Sequence, residues 1–516
     1  MPNRRLVLLA MIFAVAMMFI DQTIVVLAVP ELQHDLDVSA TGAQWIINGY
    51  LIALSALFAL GGKLADVVGH QRMVLAGVAG FALSSALCGA TPDGAIAEAW
   101  MIAFRVLQGA SAALLFPAAL AIVVAAFPLR ERGRALALFF AVTGAMTAIG
   151  PLLGGYLTEW TWRAIFWINL PVAAIAIALT RIADPPQVRR EVPIDRRGAV
   201  LVSLAMGLTV LGLQQAGSWG WDDGRTWACI VAGLALLAVF VADQLRATHP
   251  LIELRIFSRR AFAADTAVLF LIAAAFVPVL FFASVYAQLS LGYSASEAGL
   301  FLLVLFGGFA AAAQWGGRIL DARGAKPAVA LGCAAAAVGF ALWGSQLPDM
   351  DFGSQWYWFA LAGAGMGMVL GPVSTDAVNR APRASYGEVT GITQTVRNFG
   401  ASLGLAILGS VFVTQSIGHV EDTLTARGVP ASAADRIAHA VATSGGEAGG
   451  FAERAGAAPR GIFAAIQLDV ADATRTIAYA LAGIMAAAFV LARIWMEPGR
   501  ASEHPLVDEA TSAETG

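Results

Sequence analysis

The stretch GKLADVVG at residues 62–69 returns as GRILDARG at residues 317–324, so that Gly62, Asp66 and Gly69 fall on Gly317, Asp321 and Gly324. The same ungapped displacement pairs Ser39 with Ser294, Gly77 with Gly332, Gly89 with Gly344, Pro117 with Pro372 and Gly154 with Gly409. Single glycine matches are cheap in a chain with 53 glycines. Turn, kink and acidic positions that agree together read as a duplication. In each copy the two glycines permit a tight approach of helix, loop and helix. The acid between them is free to bond neighbouring helix ends or basic residues. A generic turn would need no second copy, so Gly62, Asp66, Gly69 and Arg72, with Gly317, Asp321 and Gly324, are expected to be gating loops.

Around this repeat the chain is built for lipid. Its 516 residues are 59% hydrophobic and 13% charged, whereas a soluble domain is roughly 25% charged. A net charge of -3 without a concentrated basic face excludes a nucleic-acid partner. Cys88, Cys229 and Cys333 sit in apolar runs and suggest packing, not a disulfide framework. The first apolar run is too long for a signal-peptide core and lacks a small-residue cleavage pattern. It reads as a first crossing.

A bilayer core of about 30 Å needs roughly 20 apolar residues per helix, because lipid leaves no backbone polar group a partner. Runs of that length are expected near 6–29, 44–62, 73–91, 100–123, 135–157, 164–180, 198–216, 227–245, 263–287, 297–316, 328–346, 356–376, 389–413 and 476–495. With the N-terminus inside, 23 of the 32 Lys and Arg fall on the inner side, with Arg493 at the inner end of the last run among them, and the short outer loops carry only Arg163 and Arg225. This asymmetry fits the positive-inside rule and would be spoiled by one missed or invented span. The expectation is an all-α integral membrane protein with fourteen transmembrane helices and both termini cytoplasmic, in a cell or inner membrane.

The displacement is long for six helices. It implies a six-helix bundle at 1–181, an inserted pair (spans 7 and 8) with flanking cytoplasmic linkers at 182–260, and a second six-helix bundle at 261–497, in a 6+2+6 order. The segment 414–475 is either an external cap or a flexible spacer. The polar, acidic residues 498–516 are expected to be a disordered cytoplasmic tail. Repeats of this kind place the cargo between the halves near mid-membrane, and rocking of one half against the other alternates access.

Among the acids, Asp21 is the most informative, because a carboxylate deep in a span costs on the order of 3 kcal/mol. Asp243, Asp265, Asp376 and Glu297 are expected near helix ends, within reach of water. At 1.5 Å per residue Asp21 sits roughly 22 Å above the inner face, and Arg105, entering span 4 from outside, comes to about the same depth. The two are expected to face each other. Opposite charge favours an ionised carboxylate and desolvation a protonated one, so closure or cargo binding can switch which wins. A static ion pair is the alternative. At the repeat displacement the partners are Phe276 and Ala360, and the absence of a second copy favours function over architecture.

GPLLGG at 150–155 joins the ladder-breaking Gly150 and Pro151 to Gly154 and Gly155, which allow close helix packing. Candidate cavity residues are Met17, Gln22, Asn48, Gln108, Gln314, Gln394, Arg397 and Asn398. Arg397, in GITQTVRNFGASLG at 391–404, either lines the cavity or pairs with an acid such as Asp376. GASLG is a formal match to GxSxG, but that chemistry needs a strained turn between strand and helix. No GxxxxGK[ST] or HExxH occurs, so no nucleotide, metal or other cofactor is expected. The chain is expected to be a carrier and not an enzyme.

These residues resemble the major facilitator superfamily, and within it the fourteen-span drug:proton antiporter family. GKLADVVGHQR is similar to the superfamily's loop signature, and RVLQGASAAL and GPLLGG to its span-4 and span-5 antiporter motifs. IDQTIVVLAVP at 20–30, QWIINGYLIALSAL at 44–57 and WRAIFWINLP at 162–171 resemble the fourteen-span branch. The resemblance implies a proton-coupling role for Asp21 and Arg105, gating by Asp66, and export. Val26 stands where the family usually has Asn, and Met146 where it has Gly. Span 10 lacks the acid that favours cationic drugs in some members.

The leading expectation is therefore a proton-coupled exporter of amphipathic small molecules such as drugs, antiseptics or antibiotics. Coupled movement of one defined metabolite or siderophore, and a non-transporting receptor or scaffold, remain alternatives.

Overall fold

The computed structural model describes residues 3–185, 195–248, 250–252, 254–380, 386–443 and 460–500. Its elements are α1 (Arg4–Leu36), α2 (Ala40–Val68), α3 (His70–Gly89), α4 (Ala97–Ala126), α5 (Leu129–Trp160), the single turn α6 (Ala164–Trp167), α7 (Asn169–Ala183), α8 (Arg196–Trp219), α9 (Gly224–Gln244), α10 (Arg260–Leu289), α11 (Ala295–Arg323), α12 (Ala325–Gln346), α13 (Phe352–Asn379), α14 (Tyr386–Ala426), α15 (Ala431–Thr443) and α16 (Arg460–Trp495). Among the described residues, thirteen helices are long and apolar enough to cross a membrane. The 32-residue α5, apolar and uncharged over 135–152, has several side chains outside the described residues.

The internal repeat is visible in packing. α2 lies on α4 as α11 lies on α13, α3 on α4 as α12 on α13, α1 on α5 as α10 on α14, and α1 on α7 as α10 on α16. Ser39 and Ser294 each cap a helix, accepting from the amides of Gly42 and Glu297. Pro117 and Pro372 lie inside α4 and α13. Gly69 and Gly324 have φ of 108° and 87°, a region that side-chain-bearing residues rarely adopt. Gly61 approaches the backbone of Ala113 as Gly316 approaches that of Met368. Both are small-residue contacts that let helices pack closely in lipid. The two units join reciprocally, with α5 against α11 and α2 against α14. The hairpin α8–α9 rests on that seam, α8 touching α2 and α14.

Two expectations change. α14 continues thirteen residues past 413, and α16 begins at Arg460, well before 476. An apolar run measures bilayer thickness, whereas a helix ends only where its backbone ladder is broken, here at Gly428 (φ 82°) before Pro430. Amphipathic α15 packs its Ala434, Ala438 and Val441 with Val420 and Leu424 of α14. The described part of 414–475 is thus helical and not a spacer, while 444–459 lie outside the described residues. At the other end, residues 498–500 are not free. Arg380 donates to Glu497 Oε2 (2.8 Å) and the Gly499 carbonyl (3.0 Å), and Arg500 donates to the Ala322 carbonyl (2.8 Å). Residues 501–516 lie outside the described residues.

Candidate functional site

Asp21 sits midway along α1, and Arg105 sits in the third turn of α4. They meet inside the first unit. Arg105 Nη1 donates to Asp21 Oδ2 at 2.6 Å, and the side chains are 0% and 2% exposed. Gln108, one turn along α4, donates from Nε2 to Asp21 Oδ1 (2.9 Å) and accepts from Arg105 Nη1 (2.7 Å). Arg105 Nε donates to the Ile46 carbonyl of α2 (3.1 Å), and its guanidinium lies 4.5 Å from the Tyr50 ring centroid. Asn169 closes the other side, donating to Asp21 Oδ1 (3.5 Å) and to Ser85 Oγ (3.0 Å), while Ser85 donates to the Phe166 carbonyl (2.8 Å). Every partner is a neutral donor or carbonyl except the two charges themselves. They neutralise each other in a dry place, where removing either leaves an uncompensated ion.

Gly150 sets how close this carboxylate can come. A Cβ added there would meet Thr23 Oγ1, and would lie 3.0 Å from the Ile20 carbonyl. Ile20 and Thr23 bracket Asp21, so the glycine lets α5 press on α1 at the acid. We expect Gly150→Ala to cost about 1–3 kcal/mol by overpacking and to lower transport. Adding Thr23→Ala should relieve both, as thermal unfolding and an uptake assay would show. Gly154 is buried. The surroundings of Pro151 and Gly155 lie outside the described residues.

The acids of the two repeated loops hold different partners. Asp66 Oδ1 is 3.1 Å from His70 Nε2, both side chains being buried. Asp321 meets Arg134 of α5 at 3.8 Å. Gly62 and Gly317 are buried, and Arg72 is exposed. Arg132 of α5 also donates to Asn379 Oδ1 at the end of α13 (3.1 Å). The Arg132–Asn379 and Arg134–Asp321 contacts tie the two units together on the face where the chain begins.

Several cavity expectations need correction. Met17 is 0% exposed in the apolar core, and Gln108 is consumed by Asp21 and Arg105. Asn48 donates to Gln215 of α8 (2.8 Å), because the inserted hairpin covers that side of α2. Gln22 and Gln314 are partly buried. Asp265 and Asp376, expected within reach of water, are each 1% exposed. The segment after α16 folds over that end of the second unit, where Arg380 binds Asp376 Oδ2 (2.7 Å) and Glu497. Asp376 therefore pairs with Arg380 and not with Arg397.

Asn169 and Ser85 escaped the sequence reading. Asn169 lies in WRAIFWINLP, whose motif character was its signal. Ser85, among apolar residues of α3, had none.

The Major Facilitator Superfamily model matches residues 11–405. A tetracenomycin C resistance and export protein of Streptomyces glaucescens is 37% identical over 418 residues, 80% of this chain and 76% of that protein. The cephamycin export protein CmcT of Amycolatopsis lactamdurans is 34% identical, over 76% of this chain and 81% of its own. Among solved structures, the human organic anion transporter MFSD10 superposes with a TM-score of 0.58 over 95% of this chain and 100% of its own. At 15% identity that likeness speaks to fold alone.

Proposed function

The chain belongs to the major facilitator superfamily, and from that premise we propose that it is a proton-coupled exporter of amphipathic small molecules of the drug or antibiotic kind. The observation that carries this reading is the Asp21–Arg105 pair, a carboxylate deep in the first unit whose charge is balanced by one guanidinium and shielded from solvent. Such a group responds to rearrangement of its surroundings, because a shift of α4 against α1 removes the balancing charge and leaves desolvation to favour uptake of a proton. Return of Arg105 expels it. Relatives named for export of tetracenomycin C and cephamycin support a bulky antibiotic-like cargo over a single small metabolite.

In this reading the chain crosses the membrane fourteen times as 6+2+6, with α5 as the fifth crossing and both ends cytoplasmic. Arg132–Asn379 and Arg134–Asp321 then lie on the cytoplasmic face and close it. The loops around Asp66 and Asp321 act as gates, because opening that face must part α5 from α11 and α13. Coupled exchange is tested in proteoliposomes carrying a pH-sensitive dye inside. An imposed proton gradient should drive uphill movement of a toxic amphiphile, with protons moving the opposite way. Movement that ignores the gradient would refute coupling, and no movement of any compound in a broad panel would refute export.

A further inference from the structure

We propose that Arg397 reads the charge of the cargo, and that the molecules it selects are aromatic acids carrying a carboxylate or phenolate. This inference rests on the exporter reading and names its substrate class.

Arg397 lies in α14, about 12 Å along the apolar run that begins near 389. That helix belongs to the second unit, where Gly400 and Gly404 press on the carbonyls of Phe270 and Ala274. It also reaches the first unit, where a Cβ added at Gly391 would lie 3.3 Å from the Phe58 carbonyl and 3.5 Å from Ala59 Cα in α2. Arg397 therefore stands on the seam between the halves. Its guanidinium lies 5.9 Å from the ring of Phe116 in α4 and 5.8 Å from that of Phe140 in α5. Those distances are at the outer limit of a cation–π contact.

Among the described residues nothing else balances it. Arg397 Nη1 is buried without a hydrogen-bond partner, and so are Gln394 Nε2 and Asn398 Nδ2. At i, i+3 and i+4 these three project from one side of the helix. Together they offer donors with no acceptor. The acids at hand are committed, Asp376 to Arg380 and both oxygens of Asp21 to Arg105 and Gln108. An ionised group in a membrane interior ordinarily pairs with another. Among the described residues none supplies that acceptor, and in this proposal the cargo brings it. Unlike Asp21 and Arg105, Arg397 is only partly buried, and in this proposal the cargo approaches it between the halves. The flanking rings of Phe116 and Phe140, with Phe399 against Phe270 at 6.2 Å, favour a flat aromatic body over a bare inorganic anion. Among the described residues no carboxylate stands beside Arg397 to greet a cation.

The test is equilibrium binding to the full chain purified in detergent, using anthraquinone-2-carboxylate, its neutral amide and 2-(aminomethyl)anthraquinone. The acid should bind, the other two much more weakly. Charge-assisted hydrogen bonds are strong enough that Arg397→Ala should weaken the acid about 10- to 100-fold and leave the amide unchanged. Arg397→Lys should restore part of the loss. Arg397→Gln, which keeps donors and much of the volume, covers a failure of the alanine variant to fold. Equal binding of all three probes, an unchanged affinity in Arg397→Gln, or displacement of the acid by equimolar chloride would overturn the proposal. Proton-driven export of cationic dyes that ignores Arg397→Gln would overturn it while leaving the exporter reading intact. Acid binding without gradient-driven movement of any panel compound would support the charge-reading site and defeat the exporter reading.

Discussion

Asp21→Asn is expected to abolish uphill export while leaving downhill exchange of cargo between the two sides of the membrane. The substitution preserves shape and keeps an acceptor for Gln108 and Asn169, but it removes the carboxyl proposed to carry the proton. Accumulation against a gradient needs that proton, whereas exchange needs only that the two units rock. The expected outcome is an accumulation ratio that falls to its equilibrium value, read by labelled-substrate uptake at matched protein amounts. Loss of both activities would instead mean that the acid holds the bundle together. Asp21→Glu offers a control, since it restores a titratable group on a longer arm and should recover part of the coupling.

The second large effect is on stability. Arg105→Ala leaves a carboxylate that is 0% exposed with no balancing charge, and losing one member of a buried pair costs about 3–5 kcal/mol. It also deprives the Ile46 carbonyl of its donor and Tyr50 of the cation over its ring. Combining it with Asp21→Ala should recover much of the loss in thermal unfolding, because two absent charges are cheaper than one stranded charge. Uphill export should be absent in the double variant. Arg105→Lys keeps the charge but not the planar fork that serves Asp21, Gln108 and Ile46 at once, so it should fall between wild type and alanine in stability. An Arg105→Ala chain as stable as the parent would show that the pair contributes nothing to the fold.

Much of this arrangement was legible in the sequence because it rests on lengths. A rise of 1.5 Å per residue put Asp21 and Arg105 at equal depth from opposite faces, and they meet. The repeat was legible because Gly69 and Gly324 both need a backbone that other residues avoid, and Ser39 and Ser294 both cap. What lengths cannot reveal is which chain segment folds over a helix end. Asp265 stands five residues into α10 and reads as near water, yet the stretch around Glu497 and Arg380 covers it. Met17 and Gln108 were expected in the cavity, whereas rotation about the helix axis turns them into the core and onto the ion pair. The end of α14 was missed because hydropathy stops at the membrane and a helix does not.

The central claim is that Asp21 is the proton carrier and that Arg105 controls when it takes the proton. Infrared difference spectra on a pH jump, taken with cargo present and absent, test it most directly. The account predicts a protonated-carboxyl band that responds to cargo, disappears in Asp21→Asn and persists, no longer responsive, in Arg105→Lys. A cargo-responsive band that survives intact in Asp21→Asn would place the proton elsewhere and contradict the account.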